Sequence, residues 1–175
     1  MNKTILHEGK YKRLVSIDGW EYVERVGCSG IVVILALSDD GKVILVEQHR
    51  VPVGKKVIEF PGGLVDDLSH CKGETFEEAA KREFLEETGY QADKMILLGS
   101  GPISAASTTD IMTTFRAVGV RKVSAGGGDH TECIAVHEVE FDKVDVWLQR
   151  KEKEGALIDP KVYAGFYLLK NHKSS

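Results

Sequence analysis

Glu83, Glu86 and Glu87 lie three and four residues apart in the stretch 74–88, which is rich in Ala, Glu, Lys, Arg, Phe and Leu and free of Gly and Pro. Gly89 follows, where a helix C-cap would stand. This helix carries six glutamates against one lysine and one arginine, a local charge of −4 that equals the charge of the whole chain. A charged helix is ordinarily a solvated one. The angular placement argues otherwise here. With Glu83 as origin, Phe76 falls at about 20°, Ala80 at about 60° and Ala79 at about 320°. Glu87 falls at about 40° and Glu86 at about 300° on the same wheel. The stripe that must face the core is therefore apolar in its first half and acidic in its second. Carboxylates gathered on an inward face cannot stay ionised and unpaired. A hard divalent cation such as Mg²⁺ or Mn²⁺, which prefers oxygen ligands, is their simplest partner.

The run Arg82-Glu83-Phe84-Leu85-Glu86-Glu87-Thr88-Gly89-Tyr90 resembles the core of the Nudix box, and Gly63 and Glu74 resemble the glycine and glutamate that open it. The family usually has five residues between those two, whereas this chain has ten, Leu64 to Gly73. The added segment, around Asp67–Cys71, lengthens a loop just before the helix and either loops outward or reshapes the substrate mouth. Glu47-Gln48-His49-Arg50, Val57 to Gly63, Thr131 to Ile134 and Ile158 to Tyr163 resemble the ADP-ribose and ADP-sugar pyrophosphatase branch. That resemblance implies an α+β fold of the Nudix type, an α/β/α sandwich with a mixed sheet. It also implies metal-dependent hydrolysis of a nucleoside diphosphate sugar, with ADP-ribose giving AMP and ribose 5-phosphate. GDP-mannose or another nucleotide sugar is the alternative substrate. A nucleotide sensor without turnover would usually lack box glutamates, and none is missing. RNA cap removal would need a basic path that the neutral remainder of the chain does not supply.

By this resemblance Glu83, Glu87 and the Gly62 carbonyl bind metal, and Glu86 serves a second ion or orients a water. Glu132, after the glycine run Gly126-Gly127-Gly128, resembles a loop glutamate that ligates metal or acts as base, and Asp129 is its rival. Arg82 and Glu74 are expected to pair and aim the carboxylates, with Gly63 as the structural glycine of the box. Glu77 and Glu78 are expected to be solvated. Arg50, whose guanidinium suits two phosphate oxygens, either contacts the pyrophosphate or bridges to Glu47 or Glu59. Glu59 and Leu64 are further candidates for substrate contact. Trp20 either stacks on a nucleobase or packs.

These residues need a scaffold. Tyr11–Ile17 and Trp20–Val26 flank Asp18-Gly19 as a hairpin. Ile31–Leu37 and Lys42–Glu47 flank Ser38 to Gly41 as a second hairpin, and the stretch from Gly54 to His70 is turn-rich. Lys94–Leu98, Ile111–Val118 and Ile134–Phe141 read as strands, with a polar loop at Ser100–Asp110. Asp142 is placed to cap a helix running to about Glu154, and Asp159 to cap another with Pro160 at its first turn. Residues 1–28 form an N-terminal strand segment and 29–175 the catalytic domain. A lone hairpin is marginally stable, and the resembled branch covers it by pairing two subunits, which implies a homodimer.

The 175 residues suit one domain, and 42% hydrophobic with 29% charged residues supports a core. Net charge −4 speaks against a nucleic-acid partner held by bulk charge. Cys28, Cys71 and Cys133 are an odd, unpaired set that fits a reducing compartment. The longest apolar run, 31–37, is too short for a bilayer, and the N-terminus lacks a secretory apolar stretch. A cytoplasmic protein without a membrane partner is expected.

Overall fold

The computed structural model describes residues 2–67, 69–128 and 133–171. Three antiparallel strands come first, β1 (Lys3–Glu8), β2 (Lys12–Ile17) and β3 (Trp20–Arg25). The β2–β3 turn is Asp18-Gly19 with both residues at positive φ, 50° and 87°, as a two-residue hairpin requires. Next come β4 (Gly30–Ala36), β5 (Lys42–Arg50), β6 (Lys55–Glu59) and β7 (Gly62–Val65), followed by α1 (Phe76–Thr88). β8 (Tyr90–Gln91), β9 (Lys94–Pro102), β10 (Ile111–Val118), β11 (Arg121–Lys122) and β12 (Ala135–Glu140) come after it. The chain continues through α2 (Val144–Lys153) and β13 (Leu157–Ile158) to α3 (Pro160–Asn171).

Two four-stranded sheets form the centre, in the orders β7-β4-β10-β9 and β12-β5-β6-β13. Both are mixed, because β10 runs parallel to β4 and β13 parallel to β6. Side chains of β4 alternate between two cores. Val32, Ile34 and Ala36 pack with Ala79, Ala80 and Phe84 of α1, while Val33 and Leu35 pack with Leu148 of α2 and Val162 and Leu169 of α3. A strand buried on both faces must be apolar throughout, which accounts for the unbroken run in this strand. The result is helix, sheet and helix in layers.

Several expectations change. Ile31–Leu37 and Lys42–Glu47 do not form a hairpin ladder. Beyond a single bridge between Leu37 and Val43 they part, β4 joining β7 and β10 while β5 joins β6 and β12. Strands apolar on both faces each need two flanking neighbours and cover on both sides, which a two-stranded ribbon cannot give. The stretch 54–70 holds β6 and β7, hidden in the sequence by its glycines and Pro61. β9 runs on to Pro102, into the expected loop. Asp142 does not cap α2, because it lies in a 3₁₀ turn, 141–143, and the N-cap position falls on Lys143. Asp159 does cap α3, accepting from the Lys161 N–H at 2.8 Å.

The N-terminal sheet is fastened to its own chain. Val23 N donates to Ser107 O at 2.9 Å, Thr109 N donates to Val23 O at 3.1 Å, and Arg25 pairs with Asp110 at 3.1 Å. Val15 is fully buried, whereas Trp20 is 72% exposed and is no part of the core. The three cysteines are free thiols. No helix among the described residues is long and apolar enough to cross a membrane.

Candidate active site

α1 begins with a capping box. The Thr75 hydroxyl accepts from Glu78 N, and the Glu78 carboxylate accepts from Thr75 N at 2.8 Å. Glu78 is thus an exposed capping side chain, solvated as expected, while Glu77 pairs with Lys81 along the outer face. Gly89 closes the helix in the left-handed conformation. One face then packs on β4, and the acidic half of the same stripe lies over β7.

The contact with β7 depends on two glycines. A Cβ on Gly63 would lie 2.5 Å from Glu83 Oε2 and closer still to the other carboxylate atoms. A Cβ on Gly62 would run into the Val32 carbonyl of the neighbouring strand. Gly63 therefore makes room for Glu83, and Gly62 lets β7 lie flat on β4. Gly62 N also donates to Glu87 Oε2 at 2.9 Å, which fixes that carboxylate although its residue is only 3% exposed.

Arg82 organises the rest. Its Nε and Nη2 reach the two Glu74 oxygens at 3.1 and 2.8 Å, and Nη2 also donates to Leu64 O at 3.0 Å. Its Nη1 donates to Glu83 at 2.8 Å and to Glu86 at 3.2 Å. All five guanidinium donors are thus used, and the expected Arg82–Glu74 pair aims two further glutamates. Hydrogen bonding to Arg82 lowers the Glu74 pKa. Burial acts the other way on Glu83 and, despite Arg82, pushes its carboxyl up to about 7.

Glu83 and Glu87 line one cavity of about 340 Å³. Gly62, Gly63 and Leu64 form part of its wall, and Arg50 faces it from the end of β5. Arg50 also pairs with Glu59 at 2.6 Å, the salt bridge that was one of the two expectations for it. Glu59 is not among the residues lining the cavity. Glu86 is on the rim of the helix, its side chain 46% exposed, and is not among the lining residues. Trp20 lines a separate shallow apolar depression with Ala105 and Ala106. Glu132 and Asp129 lie outside the described residues.

Two charged lining residues escaped sequence reasoning. Arg25, at the end of β3, brings a second guanidinium to the cavity, and Asp67 brings a third carboxylate from the inserted segment. A lone arginine at a hairpin end carries no local signal, since its partner Asp110 is 85 residues away. Among the described residues, no three His, Cys, Asp or Glu side chains are gathered tightly enough to hold a metal ion. The donor chemistry nevertheless fits a hard cation. Glu83 and Glu87 offer only oxygen, both are largely withdrawn from water, and the burial that raises the Glu83 pKa is a cost that a bound cation would offset.

Residues 29–165 match the NUDIX domain model, and the chain belongs to the Nudix family of hydrolases. Among curated relatives it is 32% identical to the methanol dehydrogenase activator of Bacillus methanolicus, over 70% of this chain and 64% of that protein. It is 38% identical to the ADP-ribose pyrophosphatase of Bacillus subtilis, over 50% of this chain and 45% of that protein. With the GDP-mannose pyrophosphatase of Yersinia enterocolitica the identity is 31%, over 81% of this chain and 75% of that protein. The first two matches thus span less than two thirds of those relatives. A solved structure described as an ADP compounds hydrolase superposes with a TM-score of 0.73, covering 97% of this chain and 90% of that one, at 20% identity. That likeness concerns the fold.

Proposed function

We propose that the protein hydrolyses the pyrophosphate of nucleoside diphosphate sugars, with ADP-ribose as the first substrate, giving AMP and ribose 5-phosphate. The observation that carries this reading is a cavity that joins Glu83 and Glu87 to Arg25 and Arg50. Two guanidiniums facing buried carboxylates suit a doubly charged diester whose reacting bond lies between them. A divalent cation, Mg²⁺ first and Mn²⁺ second, held by Glu83, Glu87 and the Gly62 carbonyl with Glu86 and Glu132 as further ligands, would neutralise the pyrophosphate and lower the pKa of a bound water. Arg50 and Arg25 hold phosphate oxygens, Glu59 fixes Arg50, and Asp110 fixes Arg25. Leu64 supports the wall and anchors Arg82 through its carbonyl. Glu132 accepts the proton of the attacking water, with Asp129 its alternative and Glu86 orienting that water.

Residues 1–28 are assigned to pairing of two subunits. Their sheet leaves Ile5, Leu6, Tyr11 and Trp20 exposed, an apolar set suited to an isologous contact, and Trp20 supplies a platform for the base. The work is placed in the cytoplasm, without nucleic-acid or membrane partners. GDP-mannose hydrolysis is the second reading, favoured by the broad match to the Yersinia protein. A panel of ADP-ribose, GDP-mannose and UDP-glucose with product identification tests the proposal. Release of a nucleoside monophosphate and a sugar phosphate supports it, and the preferred base separates the two readings. No phosphomonoester from any of them, with Mg²⁺ or Mn²⁺ present, defeats it.

A further inference from the structure

The segment this chain adds before α1 reaches the cavity through one side chain, Asp67. The base of that segment is anchored at the neighbouring residue. Asp66 takes positive φ, 64°, and its carboxylate accepts from Gly73 N at 2.6 Å and from the Ser29 hydroxyl at 3.0 Å. Asp66 N donates to Glu74 Oε1 at 2.9 Å, and that glutamate is the one that holds Arg82. Asp67 is thereby placed by the same network that orients Glu83. Asp67 itself is exposed, and among the described residues it has no ion-pair or side-chain hydrogen-bond partner. This carboxyl group, without a direct partner among them, faces a cavity whose two arginines suit phosphate.

We propose that Asp67 is a specificity residue that selects an uncharged, hydroxyl-bearing group beyond the pyrophosphate and rejects a further phosphate there. A nucleotide sugar and a nucleoside triphosphate present the same first two phosphates to Arg25, Arg50 and the α1 acids. They differ in the group attached to the second phosphate. Sugar hydroxyls can donate to a carboxylate, whereas a terminal phosphate is repelled by it and leaves it without a donor. The inference rests on the pyrophosphatase reading and concerns only which pyrophosphates are accepted.

The test compares kcat/KM for ADP-ribose and ATP in the wild-type protein, in Asp67→Asn, which keeps the size, and in Asp67→Ala. Affinities for their α,β-methylene analogues are measured alongside. The wild type should favour ADP-ribose, and both variants should narrow that preference by about tenfold, with ATP gaining. The narrowing should be seen in analogue affinity as well as in turnover, and should shrink at high salt. An unchanged ratio overturns the inference. So does an equal fall in kcat for both substrates, which would make Asp67 part of the hydrolytic machinery. A wild-type protein inactive on every nucleotide sugar would instead overturn the underlying reading, and the inference with it.

Discussion

Gly62 and Gly63 are adjacent, yet their replacement by alanine should have opposite consequences. At Gly63 the added methyl meets the carboxylate of Glu83, with Oε2 at 2.5 Å and the other atoms nearer. Comfortable contact needs about 3.5 Å, so the end of this side chain must retreat by about 1 Å. Glu83 can swing, and the backbone need not. The stability cost is the weakened Arg82–Glu83 bond, about 1–2 kcal/mol, partly offset by about 0.4–1 kcal/mol of backbone entropy. A carboxylate misplaced by about 1 Å can lower turnover by about a hundredfold. At Gly62 the methyl meets main chain, the Val32 carbonyl and, at 3.1 Å, Val33 Cα. The β4–β7 pairing must shift, at about 2–4 kcal/mol. Thermal melting and initial-rate assays on ADP-ribose separate the two. Gly63→Ala should melt near the wild type and be nearly inactive, while Gly62→Ala should lose stability first. Full turnover in Gly63→Ala would refute a working role for the Glu83 carboxylate.

Acid should weaken the fold through Glu47. Burial alone would raise this carboxyl, but hydrogen bonds from Lys151, Lys56 and His137 outweigh it and bring the pKa down to about 2 from 4.5. A depressed carboxyl stabilises above its unfolded pKa, so about 3 kcal/mol at most should be lost as pH falls from about 4.5 towards 2. Urea unfolding of Glu47→Gln across that range should show a flatter profile, and an unchanged acid limb would count against the network. Trp20→Ala should leave the subunit fold intact, because the side chain is exposed within its own chain, while weakening the proposed dimer by light scattering. A monomeric wild type at micromolar concentration with full activity would discard the dimer. Glu132→Gln should lower kcat by about 10²–10⁴-fold with little change in KM, and a change in KM alone would shift the base to Asp129.

What could be read from the sequence was whatever is local. The acidic stripe on α1, its C-cap at Gly89 and the Asp18-Gly19 turn arise from spacings of a few residues, while the Arg82–Glu74 pair followed from the resemblance to the Nudix box. Even there Thr75 and Glu78 carried a capping signature that marks the helix start two residues later than Glu74 suggests. Long-range pairing was not legible. The β4–β10 match joins residues about eighty apart, and nothing near Leu37 indicates that its strand leaves β5. Pro61-Gly62-Gly63 looks like a turn because glycine and proline ordinarily make one. Here the glycines serve close approach to α1 and β4, a need that exists only once those elements are packed. Arg25 and Asp67 reached the cavity for the same reason, each carried there by an element whose docking is tertiary.

The central claim is that the acidic face of α1 performs the hydrolysis, and Glu87→Gln tests it most directly. The amide keeps the size and can still accept from Gly62 N, so only the charge is removed. Steady-state release of AMP from ADP-ribose at saturating Mg²⁺ should fall by orders of magnitude. The melting temperature should hold or rise, since a buried charge has gone. Near wild-type release in that variant would contradict the account.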